Sequence, residues 1–446
     1  MRTTRKRASA IIASVATIAL LAAGCSSDAE EAPAEDTTTE SAAEEEETTS
    51  EEPSGEAITL TISTFNEWGY DNLLTEYMEL NPNITIEHNK FAESADAKEQ
   101  FQTALGAGAG LADVVGVEVD WMPLMMQYGE FFNDLSSPEV EGRWNNWTID
   151  QATSEDGQLF GYPTDIGPQA IAYRADLFEA AGLPGDREAV AALFSENGGG
   201  WDQFFAVGDQ YVAGSGGRAF FDSIDAIAQG MINQQEAPLE DPATGEIIAT
   251  TNPDIRAMYD ELLAHTDLSA HYGQWSEDWF AAFQNGNFAT MLAPSWMLGI
   301  IAGNAEGVEG WDIADVFPGG GGNWGGSFLT VPTMSEHPAE AQALAAWLTA
   351  PEQQLKAFAT TGNFPSQIEA QESAELAGMT HEFFNDAPVG QIMTNRAAAI
   401  TVIPFKGENY FTVRTALSNA LNRVDVDGTH DAETSWQMFV DEVNAL

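Results

Sequence analysis

The chain has 446 residues and a formal net charge of −54, with 70 Asp and Glu against 16 Lys and Arg. That balance excludes nucleic acid and anionic lipid surfaces as expected partners, and it disfavours a phosphorylated ligand, because each would meet like charge. The single cysteine, Cys25, excludes a disulfide framework and any thiol-pair chemistry.

The N-terminus carries a basic cluster, Arg2, Arg5, Lys6 and Arg7, followed by the uncharged run 11–23. Basic start, short apolar stretch and small residues make an export signal, too short to serve as a permanent span. Leu21-Ala22-Ala23-Gly24-Cys25 looks like a bacterial lipobox. It implies that residues 1–24 are a lipoprotein signal peptide and that Cys25 carries the lipid. Residues 25–56 hold, after Cys25 itself, only Ser, Thr, Ala, Pro, Gly and acids, with no bulky apolar side chain and no basic residue. Such a segment cannot bury a core and reads as a solvated, self-repelling tether.

The remainder, 57–446, is long for one core and suits two lobes. "AITLTISTF" (57–65) alternates and predicts a strand. Leu73, Leu74, Tyr77 and Met78 repeat at helical spacing over 70–80, and Asn81-Pro82 stops that helix. "NITIEHNKF" predicts a second strand, a helix capped by Ser94 follows, and "LADVVGVEV" (111–119) is a third strand. The βαβαβ order predicts an α/β fold with a parallel, doubly wound sheet, in which ligands bind beyond the carboxyl ends of the strands. "GAGAG" follows a helix and not a strand, so it is a helix stop and not a phosphate loop. Residues 174–310 are helix-rich, with a strand at 288–292, and "GGGGNWGGSFLTVP" leads a glycine-rich run into a further strand.

No catalytic constellation emerges. The six histidines are scattered, no HExxH occurs, and Ser215 in "AGSGGR" lacks the first glycine of a nucleophile elbow. Neither an enzyme, a metal nor another cofactor is expected; paired carboxylates leave a lipid-anchored glycoside hydrolase as the rival reading. The positive signal is aromatic. Among 12 tryptophans, Trp68, Trp121, Trp275, Trp279, Trp296 and Trp324 stand beside Gly, Pro, Asn or acids, where a ring can stack on a sugar and a neighbour can bond its hydroxyls.

"GQLFGYPTDIGPQAIAYRADLFEAAGLP" (157–184), "FAAFQNGNFATMLAPSWMLG" (280–299) and the stretch 311–354 with "TGNFPS" resemble signature segments of the family 1 extracellular solute-binding proteins. These are sugar-binding lipoproteins of ABC importers, related to maltose-binding protein. The "NWGGSFLTVP" and "GNFPS" versions look like the actinobacterial branch that handles cellobiose-like oligosaccharides. The resemblance implies a two-lobed periplasmic-binding-protein-like fold with three hinge crossings, near 163–167, 318–326 and 365–375. It places lobe one at 57–164 with 325–370, and lobe two at 165–324 with 371–446. Carried over position by position, it implies ligand contacts from Asn66, Glu67 and Trp68, from Asp120 and Trp121, and from Asp165 and Gln169. Trp279, Trp296, Asn323, Trp324 and Phe364 complete the expected set. The implied partners are a neutral oligosaccharide and ABC importer permease subunits; the protein would be a monomer on the outer face of the cell membrane. A polyol or peptide ligand remains an alternative within the same fold.

Overall fold

A computed structural model describes residues 56–446. The signal segment, Cys25 and the tether up to residue 55 lie outside the described residues. Alternation produces β1 (Ile58–Phe65), whose Leu60 and Ile62 are fully buried. Leu73, Leu74 and Tyr77 form the buried face of α1 (Asp71–Leu80), which ends at Leu80 because Asn81 precedes Pro82, where helical backbone is disfavoured. Then come β2 (Ile84–Phe91), α2 (Ser94–Ala107) and β3 (Val114–Glu118). α2 stops at Gly108, a left-handed cap with φ of 66°. β1 pairs in parallel with β2 on one side and β3 on the other, as the βαβαβ order predicts.

β4 (Gly161–Arg174) is buried along its whole length. Four later strands lie antiparallel to it. β5 (Thr290–Pro294) and β6 (Trp311–Ala314) flank its second half, and β7 (Asn323–Thr330) pairs with its first half. β7 also pairs antiparallel with β3, and the short β8 (Phe364–Pro365) pairs with Asp165 and Ile166. The sheet is therefore mixed: β1 to β3 are parallel as expected, but β7 enters on its return from the other lobe and runs against them. β4 thus carries the chain out of one lobe and into the other. Pro163 and Pro168 are tolerated inside it because each stands at a register shift, where no ladder N–H is required.

The lobes have separate cores. In the first, Leu60, Ile62, Phe101, Val114 and Trp121 pack with Phe328 and Leu344. The second holds two clusters, one around Phe178, Phe204, Tyr259 and Leu417, the other around Trp279, Phe283, Met291 and Leu298. The helix Pro351–Thr361 touches both lobes. Its Leu355 and Phe358 join the Trp279 cluster, while Lys356 Nζ reaches Glu76 on α1 at 2.8 Å. No helix among the described residues is long and apolar enough to cross a membrane.

Candidate functional site

A cavity of about 940 Å³ opens between the strand ends of the two lobes. One wall is aromatic. Trp275 and Trp296 stack with ring centroids 6.2 Å apart and planes 19° apart, and Trp324 meets Trp296 edge-on at 5.6 Å. Local structure sets these rings. Trp296 follows β5 and starts the helix Met297–Asn304, whereas Trp324 lies within β7. Trp275 sits in the turn before the helix Glu277–Asn285, with a left-handed backbone at φ of 70°. That conformation costs a bulky residue roughly 1–2 kcal/mol, comparable to the roughly 0.5–1.5 kcal/mol available from an aromatic pair. The Trp296 indole N–H donates to the Trp324 carbonyl at 2.9 Å, which locks the ring in the cavity wall. Gly167 makes the arrangement possible: a Cβ there would stand 1.8 Å from the Trp324 carbonyl oxygen.

The opposite wall is polar and acidic. Asn66 leaves β1 at φ of 50° and turns Glu67 and Trp68 toward the opening. Glu67 accepts from Lys90 Nζ at 2.9 Å, and Lys90 also bonds Asp71 at 2.9 Å. Trp68 is mostly core, wedged edge-on between Phe65 and Tyr70, with one edge on the cavity. Glu118 and Asp165 line the floor. Burial, reinforced by neighbouring Asp120, pushes the Glu118 carboxyl up to about 8. Burial pushes Asp165 up to about 6, against the bond from the Thr164 hydroxyl.

The structure brings Asn66, Glu67, Trp68, Asp165, Trp296 and Trp324 to the cavity. It places the other expected residues elsewhere. Trp121 is buried and donates its indole N–H to Ser94 Oγ at 3.0 Å, one layer behind the wall. Asp120 turns away to pair with Lys406. Gln169 is fully buried and accepts from Asn233 at 3.2 Å. Asn323 is a staple: its Oδ1 accepts from the Gly167 N–H and its Nδ2 donates to the Gly325 carbonyl, both at 2.8 Å. Trp279 is fully buried and donates to Asp222 at 2.9 Å, and Phe364 packs edge-on against Phe358. Each of these side chains is engaged by another part of the protein and not by the cavity.

Glu118, Trp275, Phe280 and Phe411 line the cavity but were not among the expected contacts. Glu118 had a legible signal, an acid closing an otherwise apolar strand. Trp275 has neighbours that suit a sugar-stacking ring but no position in the carried-over contact set. Phe411 had none, since it is brought in by the helix Tyr410–Asp425 from the far end of the chain.

Residues 72–384 match the model of the bacterial extracellular solute-binding protein family. A solved structure described as an extracellular solute-binding protein of family 1 is 41% identical, with a TM-score of 0.77 over 87% of this chain and 99% of that one. The ABC transporter associated binding protein of B. animalis subsp. lactis Bl-04, solved with beta-1,6-galactobiose, shares the fold at 18% identity and a TM-score of 0.71, over 86% of this chain and 96% of that one. An arabinooligosaccharide-binding protein of Halalkalibacterium halodurans is 23% identical over 254 residues, so this chain spans about half of that relative's length (53%) and matches over 52% of its own. Each is described as a binding protein and none as an enzyme. The chain belongs to the bacterial extracellular solute-binding protein family.

Proposed function

We propose that this protein is a receptor for a neutral, cellobiose-like oligosaccharide, which it captures between its lobes and delivers to an ABC importer permease. One observation carries the reading: the Trp275–Trp296–Trp324 wall faces hydrogen-bonding carboxyls across a cavity of about 940 Å³. A cavity of that order suits a small molecule of a few rings. Flat apolar rings opposite polar groups match a sugar, whose C–H faces stack and whose edge hydroxyls need partners. A micromolar ligand requires about 8 kcal/mol net. Two or three stacked rings, at roughly 0.5–1.5 kcal/mol each beyond burial, and several hydrogen bonds at roughly 1 kcal/mol each reach that range with the buried area. In this reading Cys25 is lipid-modified, the acidic tether holds the receptor off the outer face of the membrane, and the lobes (57–164 with 325–370, and 165–324 with 371–446) close on the ligand. Ligand preference for the closed form shifts the balance.

The test is a thermal-shift screen of the purified protein against cellobiose, xylobiose, maltose, trehalose, raffinose and chitobiose, with calorimetry on any hit. A sugar that binds only the native state raises the melting point and is recovered intact. A panel without any shift rejects the sugar reading. Turnover of the bound sugar, or of a chromogenic glycoside, points instead to a hydrolase.

A further inference from the structure

Glu118 closes β3, and its pairing partner on β7 is Ser327; Ser327 is in turn the partner of Asp165 on β4. Directly opposed residues of antiparallel strands share a face. Glu118, Ser327 and Asp165 therefore form one row across adjacent strands, and all three line the cavity. With strands about 4.8 Å apart, the two acids are about 10 Å apart along the row, with the serine hydroxyl between them.

The row is supported from behind. Trp121 donates to Ser94 Oγ at 3.0 Å, which commits that hydroxyl's own proton to Glu118 Oε2. Among the described residues no group donates to Oε1. The Thr164 hydroxyl stands 2.7 Å from Asp165 Oδ1 and 3.0 Å from the Ser327 carbonyl. The ionisable groups facing Glu118 are Asp120 on its own strand end, Asp165 on β4, Lys406 in the segment before the helix Tyr410–Asp425, and Tyr410 on that helix. Glu93, ahead of α2, lines the same cavity. Lys406 is already engaged by Asp120 and Lys90 by Glu67 and Asp71. Burial and the neighbouring carboxylates hold the Glu118 carboxyl above the ordinary carboxylate range, against the bond from Ser94 and the charge of Lys406, and favour its protonated form.

We propose that Glu118 determines the specificity of this cavity: it meets the ligand as an uncharged carboxyl, donating from Oε1 to a sugar oxygen, and the Glu118–Ser327–Asp165 row rejects sugars that carry a carboxylate. The inference rests on the sugar-receptor reading. A hydroxyl-bearing ligand both donates and accepts, so it satisfies a neutral acid beside an ionised one. An acidic sugar can do so only against the charge of Asp165 and its neighbours.

The test is calorimetry with cellobiose and with cellobionate, its counterpart bearing one carboxylate, from pH 5.5 to 9.5. If another disaccharide of the panel binds more tightly, that sugar and its aldonate replace them. Wild-type affinity for the neutral sugar is expected to fall ten-fold or more between pH 7 and 9.5, and the aldonate to bind at least 100-fold more weakly at pH 7. Glu118→Ala is expected to lose ten-fold or more at pH 7. Glu118→Gln, which keeps a donor, restores part of that loss and shows no decline above pH 7. An infrared difference spectrum at pH 7, wild type minus Glu118→Gln, is expected to show a protonated-carboxyl stretch, a readout independent of ligand. Tight sugar binding with a flat pH profile, equal binding of the aldonate, or absence of that stretch overturns the inference while the sugar reading stands. Failure of every panel sugar to bind at any pH removes both.

Discussion

Lys406 bonds Asp120 away from the cavity lining, and the two side chains are only 7% and 12% exposed. Asp120 follows β3 in the first lobe; Lys406 precedes a helix whose Tyr410 and Leu417 belong to the second lobe's core. A second contact runs the same way, with Lys98 of α2 4.5 Å above the ring of Phe411. The pair therefore ties the lobes together without touching the ligand. Asp120→Ala is expected to weaken sugar binding several-fold by favouring the open form, with a larger radius of gyration in small-angle scattering. Lys406→Ala should do the same. The double mutant should lose less than the sum of the two, with a coupling of about 1 kcal/mol or more. Additive losses would mean that the pair does not act as a unit.

Trp296→Ala removes a stacking face and the bond to the Trp324 carbonyl. It is expected to weaken sugar binding ten-fold or more, about 1.4 kcal/mol, while the circular-dichroism spectrum stays native. Trp279→Phe makes the contrast: it strips a donor from buried Asp222 and should lower the melting point with little direct effect on affinity. Unchanged affinity in a folded Trp296→Ala protein removes that ring from the site.

Gly167→Ala places a methyl group 1.8 Å from the Trp324 carbonyl. The two strands cannot both stay in place, so the backbone of β4 or β7 must shift. Overpacking of this kind costs roughly 1–3 kcal/mol. A lower urea midpoint together with weaker sugar binding is expected, since Trp296 and Trp324 move with that carbonyl.

Asp222 is fully buried, accepts from Gln274 and from the Trp279 indole at 2.9 Å each, and has its pKa pushed up to about 6 by burial. A raised carboxyl favours the neutral form in the folded state, so its contribution to stability is full below the unfolded-state value near 3.9 and is lost as pH rises through about 6. The integrated effect is about 3 kcal/mol. Unfolding free energy of the wild type, relative to Asp222→Asn, should therefore decline between pH 4 and 6.5 and level off above. A constant difference across that range would show that Asp222 ionises normally.

Much of the molecule was legible in one dimension, and the division follows the range of the forces involved. The strand alternation at 57–65, the helix face Leu73–Leu74–Tyr77 and the order βαβαβ are local patterns, set by steric period and side-chain burial, and they appear in the fold as β1, α1 and the parallel pairing of β1 to β3. Asn66, Glu67, Trp68, Asp165, Trp296 and Trp324, carried over from the family resemblance, also line the cavity. What the sequence could not decide was competition between distant partners. Trp279 and Trp275 lie four positions apart in similar company, yet a buried carboxylate at Asp222 draws the first into the core and the second remains on the cavity wall. Asp120 had the signature of a ligand contact until Lys406, brought from the far end of the chain, satisfied it first. Glu118 gained its environment only when β7 inserted between β3 and β4 and set it in line with Asp165. Local periodicity and turn chemistry therefore determined the elements and the α/β class, while the resemblance of whole segments carried the two-lobed fold. Which side chains reach the cavity was decided by long-range pairing, because a buried polar group settles on whichever partner the tertiary structure brings within hydrogen-bonding distance.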